Sequence, residues 1–179
     1  MRPIIYIHGY GSTGETDTAK NLRRIVEGEF EVISPTYNCS DPLGARASLE
    51  DLLLTLKERS PIIVGTSLGG FFANVLARRG NIPAVLVNPA LKPSASLHKY
   101  GESAEVLAGY LEVENNEQAQ TALPARFVVL GERDDVVDPH KNGALLTGNV
   151  QPVWVDMGHR IEPAFYETIA GLVRALRAA

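Results

Sequence analysis

Pro61-Ile62-Ile63-Val64-Gly65-Thr66-Ser67-Leu68-Gly69-Gly70-Phe71-Phe72 joins two apolar runs through a glycine-rich break that carries one serine. The first run has the length and the Ile and Val content of a strand buried on both faces. Leu68 to Arg79 reads as a helix that begins immediately after the serine. A strand passing directly into a helix through Gly65-Thr66-Ser67-Leu68-Gly69 fits G-x-S-x-G in the context that motif requires. Glycines two positions before and after the serine let strand and helix backbones pack closely. Such a turn holds the serine Oγ above the sheet. It also aims the Leu68 N–H and the positive end of the helix at the same spot.

Moving outward, the same alternation recurs along the chain. Strand candidates are Ile4–His8, Phe30–Ser34, Ile62–Thr66, Ala84–Asn88, Arg126–Leu130 and Pro152–Val155. Between them lie helical patterns. Ser40-Asp41-Pro42 offers a cap and a first-turn proline to a helix with Leu49, Leu52, Leu53 and Leu56 on one face. The last helix runs from about Glu162 to Arg177, with Ile161, Phe165, Ile169, Leu172, Val173 and Leu176 as its buried stripe. Residues 16–28 and 139–147 are weaker helical patterns. Alternating strand and helix predicts one α/β domain over residues 1–179, with about six mostly parallel strands and helices on both faces. The expected arrangement is a doubly wound sheet with the order 2-1-3-4-5-6. Roughly 35 residues between Pro89 and Pro124 carry no clear strand, which is long for a connection in this class. This 90–123 segment reads equally as a lid-like insert over a site or as a longer crossover.

Composition removes several classes. The chain has 179 residues and a net charge of -4, without the basic face expected of a nucleic-acid binder. Nothing approaches the ~20 apolar residues of a membrane span. The single cysteine, Cys39, cannot close an internal disulfide and sits in a turn with no base nearby in sequence, so it reads as structural. The first residues contain no small-residue cleavage site after their short apolar run. The expected protein is soluble and cytoplasmic.

A serine hydroxyl is a weak nucleophile and needs a base with an orienting acid, which in an elbow fold follow in the order Ser, Asp, His. Of the four histidines, His159 follows the last strand through Asp156-Met157-Gly158 and can share a rim with Ser67. His8 precedes the serine, His98 sits in the insert, and His140 begins a helical pattern. The acid belongs after the preceding strand, in Gly131-Glu132-Arg133-Asp134-Asp135-Val136-Val137-Asp138. Asp134 is the first choice and Asp135 the second, while Asp138-Pro139 looks like a helix cap. His8-Gly9-Tyr10-Gly11-Ser12 closes strand 1. In this strand order it should meet the serine loop, so the N–H groups of Tyr10 and Leu68 are the expected oxyanion donors.

The segments His8-Gly9-Tyr10-Gly11, Gly65-Thr66-Ser67-Leu68-Gly69-Gly70, Gly131-Glu132-Arg133-Asp134 and Gly158-His159 together resemble the α/β-hydrolase superfamily. The short chain, Ile33-Ser34-Pro35-Thr36-Tyr37 and Leu86-Val87-Asn88-Pro89-Ala90 look like the small bacterial YqiA/YcfP-type esterases. The resemblance implies a minimal α/β-hydrolase sheet and esterase activity on short acyl esters. It maps Ser67 as nucleophile, Asp134 as acid and His159 as base. The expected substrate is a small acyl ester, with a thioester as an alternative, and neither cofactor nor metal is implied. A non-catalytic ligand-binding module on the same fold is the competing expectation. Dinucleotide binding at Gly9, Gly11 and Gly14 is disfavoured because strand 2 ends in Ser34-Pro35-Thr36, without the acidic residue that would hold a ribose.

Overall fold

The computed structural model describes residues 1–116 and 124–178. The part of the 90–123 insert at 117–123 lies outside the described residues. β1 (Arg2–Ile7), β2 (Phe30–Ile33), β3 (Ile62–Thr66), β4 (Ala84–Val87), β5 (Arg126–Gly131) and β6 (Val150–Val155) form one sheet in the order β2-β1-β3-β4-β5-β6. All neighbours are parallel. The registers Ile5 with Ile63 and Ile7 with Gly65 put the ends of β1 and β3 side by side. Strand order therefore reverses at this point, where a crevice opens beyond the carboxyl ends.

Side chains of the central strands alternate between two cores. Ile5, Ile7, Ile63, Leu86, Val128 and Leu130 face α2 (Pro42–Leu56), α3 (Leu68–Gly80) and α5 (Ala104–Asn115). Ile4, Tyr6, Ile62, Val64, Val85, Val87 and Val129 face α1 (Asp17–Ile25) and α7 (Tyr166–Ala178). Burial on both sides is why these strands read as continuous apolar runs. The helices begin where local chemistry allows. Asp41 caps α2 by accepting from the Gly44 N–H at 3.0 Å, with Pro42 in the first turn. Thr16 caps α1 through the Ala19 N–H at 3.1 Å.

The segment after β4 forms α4 (Pro93–Ser96), a 3-10 turn over Leu97–Tyr100, and α5. Tyr110 of α5 is fully buried against Phe71 and Phe72 of α3 and donates to the Cys39 carbonyl. The segment thus rests on the face built by α2 and α3. The helical pattern at 139–147 shortens to α6 (Pro139–Ala144), and the final one starts as a 3-10 turn at Pro163–Phe165 before α7.

Candidate active site

Ser67 lies between the last residue of β3 and the first of α3, at φ 53 and ψ -120. Non-glycine residues rarely adopt positive φ, and positions that keep it are held there by their surroundings. Four backbone bonds hold this one. The Ser67 N–H donates to the Val87 carbonyl at 3.0 Å, and its carbonyl accepts from Gly70 at 2.9 Å, Ala90 at 3.0 Å and Phe71 at 3.3 Å. The flanking glycines are required by proximity. A Cβ on Gly65 would collide with the Gly69 carbonyl, and one on Gly69 would collide with the carbonyls of Ile7 and His8. Those are backbone atoms of a buried strand end and cannot rotate away. Gly69→Val is expected to cost about 4 kcal/mol or more, a drop of roughly 10 °C in Tm for a chain of this size, or to leave no folded protein. A thermal melt within 2 or 3 degrees of wild type would contradict the packing described.

The loop after β1 does meet the serine loop. A side chain on Gly9 would touch Ser67 Cβ at 3.4 Å and its Oγ at 3.9 Å. His8, just before it, is fully buried and stacks on Tyr37 with ring centroids 4.3 Å apart. The Tyr37 N–H donates to His8 Nε2 at 3.4 Å, so Nδ1 carries the proton and donates to the Gly9 carbonyl at 2.8 Å. Burial pushes the His8 imidazole below its usual pKa despite that bond, which keeps it neutral. His8 therefore orders the loop.

The other two residues arrive from the edge strands. The loop after β6 carries His159 and the loop after β5 carries Asp134. His159 Nε2 is 3.0 Å from Ser67 Oγ, and His159 Nδ1 is 2.8 Å from Asp134 Oδ2. The second carboxylate oxygen of Asp134 accepts the N–H groups of Val136 and Val137, both at 2.9 Å. Desolvation alone would raise the Asp134 pKa. The bond from His159 and the two amides outweigh it and hold the carboxyl below its usual range. Asp135 is exposed. Asp138 caps α6 through the N–H groups of His140 and Lys141, each at 3.1 Å.

A cavity of about 180 Å³ opens beside Ser67 and is lined in part by Tyr10, Leu68, Leu97, Tyr100 and Val137. Leu68 begins α3, so its N–H is one of the helix's unpaired donors. Tyr10 stacks on Tyr100 at 5.1 Å, and its hydroxyl donates to Glu102 at 2.8 Å, a bond that pushes the phenol pKa up to about 12. A larger hollow of about 690 Å³ lies at the opposite end of the sheet, where Arg2, Pro61 and Pro83 begin or precede their strands. Among the described residues no group of His, Cys, Asp and Glu side chains has the arrangement of a metal site.

Asn88 was not singled out by motif reasoning as a site residue, yet it ties the site together. It follows β4 at φ 45 and is buried. Its Oδ1 accepts the Gly131 N–H at 2.8 Å. Its Nδ2 donates to the carbonyls of Gly158 and His159 at 2.9 and 3.0 Å. One amide thus joins the start of the acid loop to the histidine loop. Arg133 adds a second tie, bonding the Asp156 carboxylate and Glu162, while Glu162 also accepts the Gly158 N–H at 3.0 Å. Its sequence signals are its place in the Leu86-Val87-Asn88-Pro89-Ala90 segment and a polar side chain tolerant of left-handed backbone at a strand end. Asn88→Ala strands a buried N–H and two carbonyls and keeps the unfavourable φ. We expect a loss of about 3 kcal/mol, read as a lower urea midpoint at unchanged m-value.

The chain matches the model of the uncharacterised protein family UPF0227 over residues 3–170 and belongs to that family. A UPF0227 protein of Pectobacterium carotovorum is 25% identical over 169 residues, covering 86% of this chain and 87% of that one. Among solved structures, Est1E from Butyrivibrio proteoclasticus superimposes with a TM-score of 0.80 at 13% identity, covering 99% of this chain and 88% of that one. A monoacylglycerol lipase of Paleococcus ferrophilus gives 0.73 at 16% identity, covering 97% and 93%. The fold is that of the α/β-hydrolase superfamily, and the family is the one the YqiA/YcfP-type segments resemble. Among the described residues no helix is long and apolar enough to cross a membrane.

Proposed function

We propose that this protein is a serine hydrolase that cleaves small carboxylic esters through an acyl-enzyme. The observation that carries this is the relay of 3.0 Å from Ser67 Oγ to His159 Nε2 and 2.8 Å from His159 Nδ1 to Asp134. Both distances lie within hydrogen-bond reach for proton transfer. In the first half-reaction His159 Nε2 takes the hydroxyl proton as Oγ bonds to the acyl carbon. The resulting oxyanion is stabilised by the N–H groups of Leu68 and Tyr10. The carbonyl re-forms, the C–O bond to the alcohol breaks, and the alcohol leaves with the proton from His159. Water then adds to the acyl-enzyme by the same route, releasing the carboxylic acid and restoring Ser67. Asp134 holds the imidazole with its proton on Nδ1 and balances the charge it gains, without taking the proton. A cavity of about 180 Å³ favours short acyl groups, and the Leu97–Tyr100 turn forms part of its cover. Thioesters are a second substrate class for the same steps.

The test is labelling by a fluorophosphonate probe with turnover of p-nitrophenyl acetate and butyrate. Labelling and turnover by the wild type support the proposal. If neither occurs, the fold serves as a ligand-binding module instead.

A further inference from the structure

Three cavity-lining charges distinguish the mouth of this site from the rest of an acidic chain: Lys92, Lys99 and Asp138. Two of them are already balanced. Lys92 Nζ is 3.2 Å from Glu114 Oε2. Asp138 gives one oxygen to the N–H groups that begin α6 and the other to Lys141 Nζ at 3.2 Å. Glu102, which does not line the cavity, has its Oε1 occupied by the hydroxyls of Tyr10 and Ser40. Lys99 differs. Its ammonium donates to the Val136 carbonyl at 3.1 Å and lies 5.2 Å from the Tyr100 ring, and among the described residues no carboxylate pairs with it. An ammonium has three donors, so two N–H groups remain for a ligand. The positive end of α3 opens into the same cavity at Ser67. The chain carries a net charge of -4, yet of the charged side chains that line this cavity the one without a counter-ion among the described residues is the cation Lys99.

We propose, on the basis of the hydrolase function above, that the ester taken by this site carries an anionic group, and that Lys99 binds it. Leu68, Ala90, Leu97, Val136 and Val137 in the lining offer apolar contact to the carbon skeleton, beside the polar Ser96 and Asn142. An oxyanion accepting from an ammonium makes a charge-assisted bond, stronger than a neutral one. Lys99 is exposed, so salt screens this attraction and the preference it gives depends on ionic strength. The anion has two chemical sources, the acyl group or the alcohol, and both present the same group to Lys99.

Two matched substrate pairs separate these sources. Mono-p-nitrophenyl succinate against p-nitrophenyl butyrate varies charge in the acyl group. 4-Acetoxybenzoate against its methyl ester varies charge in the leaving group. The wild type is expected to favour the anionic member of one pair by roughly tenfold in kcat/KM, with the margin shrinking as ionic strength rises. Lys99→Met should abolish the margin, Lys99→Arg should keep it, and Lys20→Met, on the distant α1, should leave it intact. Equal kcat/KM within both pairs overturns the inference while leaving the hydrolase function standing. So does a margin that survives Lys99→Met. A margin lost equally in Lys99→Arg points to the bond with Val136 and also overturns it. A wild type that turns over none of the four esters removes the hydrolase function, and this inference with it.

Discussion

Ser67→Ala is expected to abolish fluorophosphonate labelling and lower ester turnover by on the order of 10⁵-fold or more. The size follows from the chemistry: removing Oγ leaves no atom 3.0 Å from His159 Nε2 to accept the acyl group. Whatever activity remains would come from the oxyanion donors acting on water, which leaves a residual rate above background. The protein should stay folded, because Ser67 makes no side-chain cap bond at the start of α3. A folded Ser67→Ala that still reacts with the probe would place the nucleophile elsewhere.

The same position allows a sharper test through its backbone. At φ 53 and ψ -120 a Cβ is strained, and glycine is not. Ser67→Gly and Ser67→Ala lose the same hydroxyl and should be equally inactive. Glycine should nonetheless be the more stable of the two by about 1 kcal/mol, reversing the order usual at helical positions. Urea midpoints of the two variants measure this directly. An alanine variant as stable as the glycine variant would mean that the turn carries no strain.

Much of this architecture was legible because central strands announce themselves. Ile62–Thr66 and Ala84–Val87 are buried on both faces, so their apolar runs have sharp ends. Alternation with helices fixes only the class; given the doubly wound order 2-1-3-4-5-6, the loops after β1 and β3 had to be neighbours, and the close approach of Gly9 to Ser67 follows from that topology. The choice between Asp134 and Asp135 depended on which side chain turns inward. The structure brings Asp134 to His159 because the amides of Val136 and Val137 capture its other oxygen. That is a loop conformation, and no periodicity encodes it. Asn88 was harder still. Its role rests on three bonds to residues 43 to 71 positions away, none of which leaves a local pattern. The 90–123 segment stayed open for a related reason: Tyr110 has its place only because Phe71 and Phe72 already form a surface to receive it.

Asp134→Asn is expected to lower turnover by about 10⁴-fold while the protein stays folded, and the orientation of the new amide explains why. The N–H groups of Val136 and Val137 point at one oxygen of the side chain and need an acceptor there. The asparagine must give them its Oδ1, which turns its NH₂ group toward His159 Nδ1. Nδ1 then has to accept, so the imidazole proton moves to Nε2. In that tautomer Nε2 has no lone pair to take the proton of Ser67 Oγ. The conservative replacement therefore disables the base by fixing the wrong tautomer, and kcat should fall much more than KM changes. Stability supplies an independent readout. The Asp134 pKa is held down in the folded state, so its stabilising contribution is complete above the unfolded carboxyl pKa of about 3.9 and is lost as pH falls towards the folded value. The stability gap between wild type and Asp134→Asn should accordingly be constant near neutral pH and narrow below about pH 4. Asp135→Asn, altering an exposed neighbour, should match wild type in both turnover and pH dependence. An active Asp134→Asn together with an inactive Asp135→Asn would transfer the acid's role to Asp135 and break the relay through His159.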